Sequence, residues 1–149
     1  MPQSALARTL DDVSDPTCEN DGERLNAGML EAINKVQAVI EFDLDGTIRR
    51  ANGNFLNAVG YSLDQVQGRH HSMFVEPAQA ASHDYRAFWD KLGRGEFDAG
   101  QYKRIGAGGR EIWIQASYYP ILDATGRAFK VVKYATDITA QKLATANFE

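Results

Sequence analysis

The chain of 149 residues lacks several features that define whole classes of protein. Its one cysteine, Cys18, excludes an intrachain disulfide and a thiolate metal cluster. It has no run of about 18 apolar residues, the length that a membrane-spanning helix needs, and its N-terminus lacks the regions of a signal peptide. We therefore expect a cytoplasmic protein with no direct membrane contact.

An excess of positive charge is also missing. The 16 basic and 20 acidic residues give a net charge of −4. The first 24 residues hold six acids and two bases, so the rest of the chain is neutral. A neutral domain lacks the basic surface that attracts nucleic acid or an anionic membrane. We expect no nucleic-acid partner.

Familiar catalytic motifs are absent as well. The sequence contains no HExxH, no GxSxG, no P-loop and no pair of cysteines. His83 and Asp84 are adjacent, so on a helix their side chains diverge. The glycine-rich residues 106–109 lack the Lys and Ser or Thr of a phosphate loop and predict a hairpin turn. These features predict a protein that is not an enzyme.

Composition and periodicity divide the chain into four parts. Residues 1–21 are polar and acidic with no apolar period, which predicts a mobile acidic leader. Apolar residues at helical spacing predict an amphipathic flanking helix over residues 22–37. Residues 38–139 are expected to form one folded domain, and residues 140–149 begin a helix.

Strand signals occur at both ends of the predicted domain. Two short extended segments flank a tight turn at residues 43–46, and three longer ones cover residues 99–105, 110–122 and 128–138. Short glycine-containing turns join the last three, which predicts an antiparallel meander. Alternation on the middle strand of the meander places four side chains on one face: Ile112, Ile114, Ala116 and Tyr118.

Helix signals occupy the middle of the domain. Asn52 or Asn54 can cap a short helix, and Ser62 with Gln65 forms a capping box for another. Ser82 can cap a longer helix whose aromatic and apolar residues recur at i, i+3, i+4 and i+7. The order of elements predicts an α+β fold, a five-stranded antiparallel sheet with short helices over one face.

Four motifs follow one another in a specific order. They are Asp-Leu-Asp-Gly-Thr-Ile at 43–48, Ala-Asn-Gly-Asn-Phe at 51–55 followed by Val-Gly-Tyr at 59–61, Tyr-Tyr-Pro-Ile at 118–121 and Asp-Ile-Thr at 137–139. Together they resemble the PAS domain, a sensor module, across residues 33–139. Residues 59–89 are most similar to PAS domains of methyl-accepting chemotaxis receptors, including aerotaxis-type ones.

The resemblance implies a curved sheet around a small pocket, with signals passed to flanking helices. It places Asp137 and Thr139 at the junction with the output helix, Thr139 as its N-cap; the alternative is an ordinary strand end. It also implies an output signalling domain in a longer chain. A homodimer through the helix at 22–37 and the outer sheet face with Trp113 and Tyr119 is expected.

The resemblance implies a redox or gas-sensing cofactor in the pocket, haem b in preference to FAD, with the alternative that none is bound. His70, His71 and His83 lie in the segment expected over the pocket, and His71 and His83 are alternative ligands for haem iron. Asn52 and His71 match the FAD-binding aerotaxis pattern. FAD is disfavoured because Asp98, Val75 and Glu76 replace a tryptophan and a basic pair. No Cys occurs in residues 51–98, which excludes a flavin-cysteinyl bond.

Other expected pocket residues are mostly apolar. Lys133 is the exception: the family register places it in the pocket beside Val131 and Ala135, whereas the binary pattern would leave it in water. The aromatic residues would equally make a plain core. The expected lining is Phe55, Met73, Phe88, Trp89, Ile114, Tyr118 and Lys133.

Overall fold

The computed structural model describes residues 16–148, with the side chains of residues 21–145. The chain divides into two compact units, the first ending at Val36 and the second beginning at Gln37. The first unit contains helix α1 (Pro16–Val36), which begins six residues before the predicted start. The remainder of the predicted leader lies outside the described residues. Within residues 16–148, no helix combines the length and the apolarity needed to cross a bilayer.

Helix α1 carries a row of exposed apolar side chains. Leu25 is 65% exposed, Met29 55%, Leu30 57% and Val36 76%. The opposite side of the helix is polar, with an i,i+4 ion pair between Glu31 and Lys35. The amphipathic pattern that predicted this helix is confirmed.

The second unit is a five-stranded antiparallel sheet with short helices, which confirms the predicted α+β architecture. The sheet order is β2-β1-β5-β4-β3. Its elements are β1 (Ala38–Phe42), β2 (Ile48–Ala51), α2 (Gly53–Val59), α3 (Leu63–Val66), a 3-10 turn (His71–Phe74), α4 (Pro77–Ala80), α5 (His83–Gly93), β3 (Asp98–Ile105), a 3-10 turn (Ala107–Gly109), β4 (Glu111–Leu122), β5 (Ala128–Asp137) and α6 (Thr139–Phe148).

The turn between β1 and β2 requires glycine. Gly46 has φ +93°, and a Cβ built there would lie 2.6 Å from His70 Nε2. An L side chain would therefore meet both backbone strain and a steric clash. His70 occupies that space because its Nε2 lies 2.6 Å from the carbonyl oxygen of Asp45.

Two of the predicted caps start helices that cover the sheet. The Asn52 side chain accepts from the backbone N–H of Phe55 at the start of α2. Ser82 Oγ accepts from the backbone N–H of Tyr85 at the start of α5. Helix α5 then buries Tyr85, Trp89 and Leu92 along one face.

The domain core lies between these helices and the inner face of the sheet. The predicted alternation of β4 is confirmed, since Ile112, Ile114, Ala116 and Tyr118 are all buried. Tyr118 pairs directly with Lys133 on β5. Fully buried apolar residues from other elements complete the core: Ile40, Phe42, Ile48, Val66, Leu92 and Val131.

Candidate functional site

A chain of hydrogen-bonded polar side chains crosses the interior of the domain. Buried His71 places Nδ1 2.7 Å from Tyr85 Oη and Nε2 3.0 Å from Tyr118 Oη. Arg104 Nη2 donates to Tyr118 Oη at 3.1 Å. We call these four residues, Arg104, Tyr118, His71 and Tyr85, the buried polar chain. It links strands β3 and β4 to helix α5 and to the 3-10 turn His71–Phe74.

The hydrogen bonds of His71 are compatible with either neutral tautomer, because each tyrosine hydroxyl can both donate and accept. In one of these arrangements Arg104 donates to Tyr118, Tyr118 donates to Nε2 of His71, and Nδ1–H donates to Tyr85. The surroundings of the ring favour its neutral form. Burial lowers the pKa of His71 well below its usual 6.5, and the positive charges of Lys133 and Arg104 lower it further. Burial also raises the pKa of Tyr118, and it raises that of Tyr85 to about 12.

Lys133 lies on the inner face of β5, as the family register predicted, and not in water. Its side chain is 1% exposed. The ammonium lies 5.0 Å from the ring centroid of Tyr118 and 5.5 Å from that of Phe55, within cation–π range. Burial lowers the pKa of Lys133 well below 10.5, and the charge of Arg104 adds to this effect.

Arg104 is the second buried cation, at 4% exposure. Its guanidinium lies 4.7 Å from the ring centroid of Tyr102, and Nη1 donates to the carbonyl oxygen of Lys103. Nε is buried and has no hydrogen-bond partner in the part of the chain that the structure describes. Among residues 21–145, neither Arg104 nor Lys133 forms an ion pair with a carboxylate. The interior therefore holds positive charge without a neutralising acid, which costs free energy.

A solvent-open groove between α5 and β3 leads to Arg104. Its volume is about 740 Å³, and Tyr85, Phe88, Tyr102 and Arg104 contribute to its lining. The polar lining comes from α4, from α5 with its two capping residues, and from β3, and comprises Gln79, Ser82, Asp84, Lys91, Arg94 and Asp98. We call it the α5–β3 groove.

The structure brings six of the predicted site residues together. His71 makes ring contacts with Phe88, Trp89 and Tyr118 at centroid distances of 5.3–6.3 Å. Lys133 joins them through the rings of Tyr118 and Phe55. Of the two apolar residues that remain, Ile114 is buried in the core and Met73 packs against the core while partly exposed.

His83 does not belong to this cluster, which corrects its expected place over the pocket. It is the first residue of α5, and its side chain is exposed. Tyr85, two residues later, points into the interior. Since two residues advance a helix by about 200°, His83 lies on the opposite, outer side.

His70 and Asn52 both bind backbone groups, and His70 also lines a second surface pocket of about 750 Å³. Ser72 N–H donates to His70 Nδ1, and Nε2 of the same ring bonds the Asp45 carbonyl. Asn52 Oδ1 accepts from the backbone N–H groups of Val39 and Phe55, and Nδ2 donates to the carbonyl of Gln37. The two side chains fix the β1–β2 turn and the β1–α2 junction.

The buried residues do not fit haem or flavin in this arrangement. Haem iron needs a free imidazole nitrogen, and both nitrogens of His71 are hydrogen-bonded to tyrosine hydroxyls. A flat cofactor ring also needs an interior slot. The rings of Phe42 and Trp89 pack edge-on against His71 at 5.4 and 5.3 Å, and Phe88 packs against Tyr118 at 4.8 Å. In the described part of the chain, no three His, Cys, Asp or Glu residues are grouped as metal ligands.

The junction between sheet and output helix differs from the prediction in one detail. Thr139 is the first residue of α6 and not its N-cap. Its Oγ1 accepts from the backbone N–H of Trp113 on β4 at 2.9 Å, while its own N–H donates to Asp137 Oδ1 at 2.9 Å. Ile138 N–H donates to the Trp113 carbonyl at 2.8 Å. These bonds tie the start of α6 to β4.

Arg104 is the site residue that sequence reasoning missed. A signal was present in the register of β3, where Tyr102 and Arg104 pair with Ile114 and Ile112 of β4. Paired residues share a face, and those two isoleucines were predicted to point inward. Extending the alternation across the hairpin would have placed both residues on the inner face.

Comparison with known proteins agrees with this architecture. A family model described as the PAS fold matches residues 30–143. The chain belongs to the PAS family. The predicted resemblance is confirmed over most of the sequence.

Two curated bacterial proteins are similar in sequence to this chain. The chain is 47% identical over 111 residues to the biofilm dispersion protein BdlA of Pseudomonas aeruginosa, covering 74% of this chain and 27% of BdlA. It is 30% identical over 80 residues to the aerotaxis receptor of Escherichia coli, covering 54% of this chain and 16% of the receptor. The chain thus spans about a quarter or less of the length of these relatives.

Solved structures share the PAS fold at low sequence identity. A PAS domain from Colwellia psychrerythraea superposes with a TM-score of 0.67 and 20% identity, covering 78% of this chain and 98% of that one. A light-oxygen-voltage domain studied with a flavin analogue gives a TM-score of 0.62 and 20% identity, covering 82% and 96%. These likenesses establish the fold.

Proposed function

We propose that this PAS domain is the sensory part of a chemotaxis-type signal transducer, and that changes in its buried polar chain are passed to helix α6. The relationship to the aerotaxis receptor and to BdlA supports the class of transducer. The observation that carries the mechanism is the direct pairing of Tyr118 on β4 with Lys133 on β5. Tyr118 belongs to the buried polar chain, and Lys133 lies on the strand that continues into α6.

The path from the interior to the helix is short. Four residues beyond Lys133, β5 ends at Asp137, whose carboxylate accepts from the first N–H of α6. The same helix start is bonded to Trp113 of β4, the strand that carries Tyr118. A change in the twist or spacing of β4 and β5 therefore acts on the first turn of α6 from two sides. An output domain beyond α6 would receive the signal.

The junction is tested by Thr139→Val, which removes the acceptor of the Trp113 N–H and keeps the side-chain shape. We expect amide hydrogen exchange at Trp113 to accelerate about five- to tenfold, as loss of one hydrogen bond of about 1 kcal/mol implies. Thr145→Val, the same change later in α6, is the matched control and should leave the Trp113 amide unchanged. Equal exchange in both variants would contradict the proposed junction.

We propose further that the domain senses without haem b or FAD, the cofactors that the sequence raised. The occupied nitrogens of His71 and the packed rings around it support this. The absorption spectrum of the purified protein, repeated after incubation with haemin or FAD and gel filtration, should show no retained cofactor band. A retained Soret band that His71→Ala removes and His83→Ala preserves would overturn this part of the proposal.

A second candidate function, dimerisation, is favoured by the exposed apolar row of α1. Leu25, Met29 and Val36 recur at spacings close to those of a two-helix coiled coil, and each is more than half exposed. Sedimentation equilibrium should show a dimer that Met29→Lys dissociates. Ala27→Lys, about 200° around the helix from Met29, is the control and should leave the dimer intact. A dimer that survives Met29→Lys and Ile33→Lys would exclude this helix as the interface.

A further inference from the structure

Arg104 has an unused donor where a surface groove reaches the interior. Its Nε is buried and has no partner among the described residues, and Arg104 lines the α5–β3 groove. The other two cations of the groove are already paired: Lys91 with Asp98 at 3.2 Å and Arg94 with Glu96 at 2.9 Å. Arg104 is thus the groove cation whose charge no protein acid neutralises among residues 21–145.

The charges around Arg104 favour the binding of an anion beside it. Lys133 is a second buried cation; burial lowers its pKa, and repulsion by the charge of Arg104 lowers it further. His71 also lies in this interior, but it is neutral and does not offset the charge of either cation. A planar guanidinium with a free Nε presents its N–H groups in the fork that matches a carboxylate. An anion bound there would replace repulsion by an ion pair.

The lining of the groove selects the kind of anion. Lys91 is paired with Asp98 and Arg94 with Glu96, so Arg104 supplies the one basic charge of the lining that has no acid partner. This balance suits a monoanion and disfavours a polyphosphate. The apolar part of the lining consists of Ala87 and three aromatic rings, those of Tyr85, Phe88 and Tyr102.

We infer that the α5–β3 groove binds a small monocarboxylate with an aromatic or apolar body, its carboxylate on Arg104 and its body against the rings of Phe88 and Tyr102. The volume of about 740 Å³ lies within the usual range for small-molecule sites. This inference rests on the proposed sensory function and names the class of stimulus. The ligand contacts the guanidinium that donates to Tyr118, so its binding acts directly on the buried polar chain.

The test is a calorimetric titration with benzoate as the probe, benzamide as its uncharged counterpart and inorganic phosphate as a different anion. We expect benzoate to bind, and benzamide and phosphate to bind at least about tenfold more weakly. Arg104→Met should weaken benzoate binding at least about tenfold. Arg50→Met, which removes an exposed arginine of β2, should leave it unchanged.

Two further variants keep the outcome decisive. Arg104→Lys retains the charge without the fork and should lose most of the benzoate affinity. Lys91→Met removes a groove cation that is already paired with Asp98. It should weaken benzoate binding less than threefold, and this result can be measured even if the Arg104 variants fail to fold. Benzamide or phosphate binding as well as benzoate, or undiminished binding by Arg104→Met, would overturn the inference. A tenfold loss in Lys91→Met would likewise overturn the assignment to Arg104.

The same titration, followed by ¹H–¹⁵N spectra, separates this inference from the proposed function. Benzoate binding without any change in the amide resonances of Trp113 and Ile138 would support the site and contradict transmission to α6. Absence of benzoate binding would overturn the ligand class. It would leave transmission to α6 to be judged by variants of the buried polar chain itself.

Discussion

Two groups of buried side chains in this domain contribute to its stability with opposite sign. Ile40, Ile48 and Val66 are apolar and fully buried, and their removal from water stabilises the fold. His71, Arg104 and Lys133 are equally enclosed, but they carry polar or charged groups whose burial opposes folding. The difference teaches that one group maintains the fold, whereas the other is retained at a cost to stability, as expected for residues that serve function.

Truncation in the apolar group should give the largest effect. Ile40→Ala removes a fully buried side chain from β1 and leaves a cavity. Its free energy of unfolding, measured by urea denaturation, should fall by about 2–5 kcal/mol. Ile121→Ala, at 39% exposure, is the control and should change it by less than about 0.5 kcal/mol. A loss below about 1 kcal/mol at Ile40 would contradict the assignment of this group to stability.

Substitution in the charged group should act in the opposite direction. Lys133→Met keeps most of the side-chain volume and removes the buried cation, so the free energy of unfolding at pH 7 should rise by about 1–3 kcal/mol. Lys130→Met instead removes an ion pair with Glu41, 3.2 Å long and partly exposed, and should lower it by at most about 1 kcal/mol. If Lys133→Met destabilised the domain, Lys133 would belong with the structural group.

The hydroxyl of Tyr118 joins Arg104 to His71, so its removal sharpens the comparison within the polar group. Tyr118→Phe leaves both neighbours without one hydrogen-bond partner and should lower the free energy of unfolding by about 1–2 kcal/mol. Tyr119→Phe, on the exposed outer face, is the matched control. An equal effect of the two changes would show that the Tyr118 hydroxyl contributes no more to the free energy of unfolding than an exposed hydroxyl does.

The smallest expected effect is a pH dependence due to His71. Folded His71 stays neutral because its pKa is depressed, whereas the unfolded residue takes up a proton below about pH 6.5. The free energy of unfolding therefore decreases as the pH falls below about 6.5. The expected decrease between pH 7 and pH 5.5 is about 1.2 kcal/mol. Denaturation curves at the two pH values measure it. His71→Gln should abolish this loss and His83→Gln should preserve it; an unchanged loss in His71→Gln would show another group to be responsible.

Features governed by local contacts could be predicted from the sequence. The caps at Asn52 and Ser82 act on N–H groups three residues away, and the alternation of β4 follows from strand geometry alone. These features needed no knowledge of distant residues. For Lys133 the family register and the binary pattern gave opposite orientations, and the structure agrees with the family register.

The remaining site residues depend on contacts that are distant in sequence. Arg104 is buried because its guanidinium reaches Tyr118, 14 positions away and on another strand. Thr139 was predicted as a cap, yet its hydroxyl bonds Trp113, 26 positions away. His71 and His83 have the same chemistry, and only the packing of the 3-10 turn and of α5 decides which faces inward.

The central claim is that a change in the buried polar chain reaches the start of α6. It is tested most directly by ¹H–¹⁵N spectra of the unaltered chain, Tyr118→Phe and Tyr119→Phe, read at the amides of Trp113 and Ile138. The account predicts that both amide resonances shift in Tyr118→Phe and stay in place in Tyr119→Phe. Shifts confined to the immediate neighbours of Tyr118, with Trp113 and Ile138 unmoved, would contradict it.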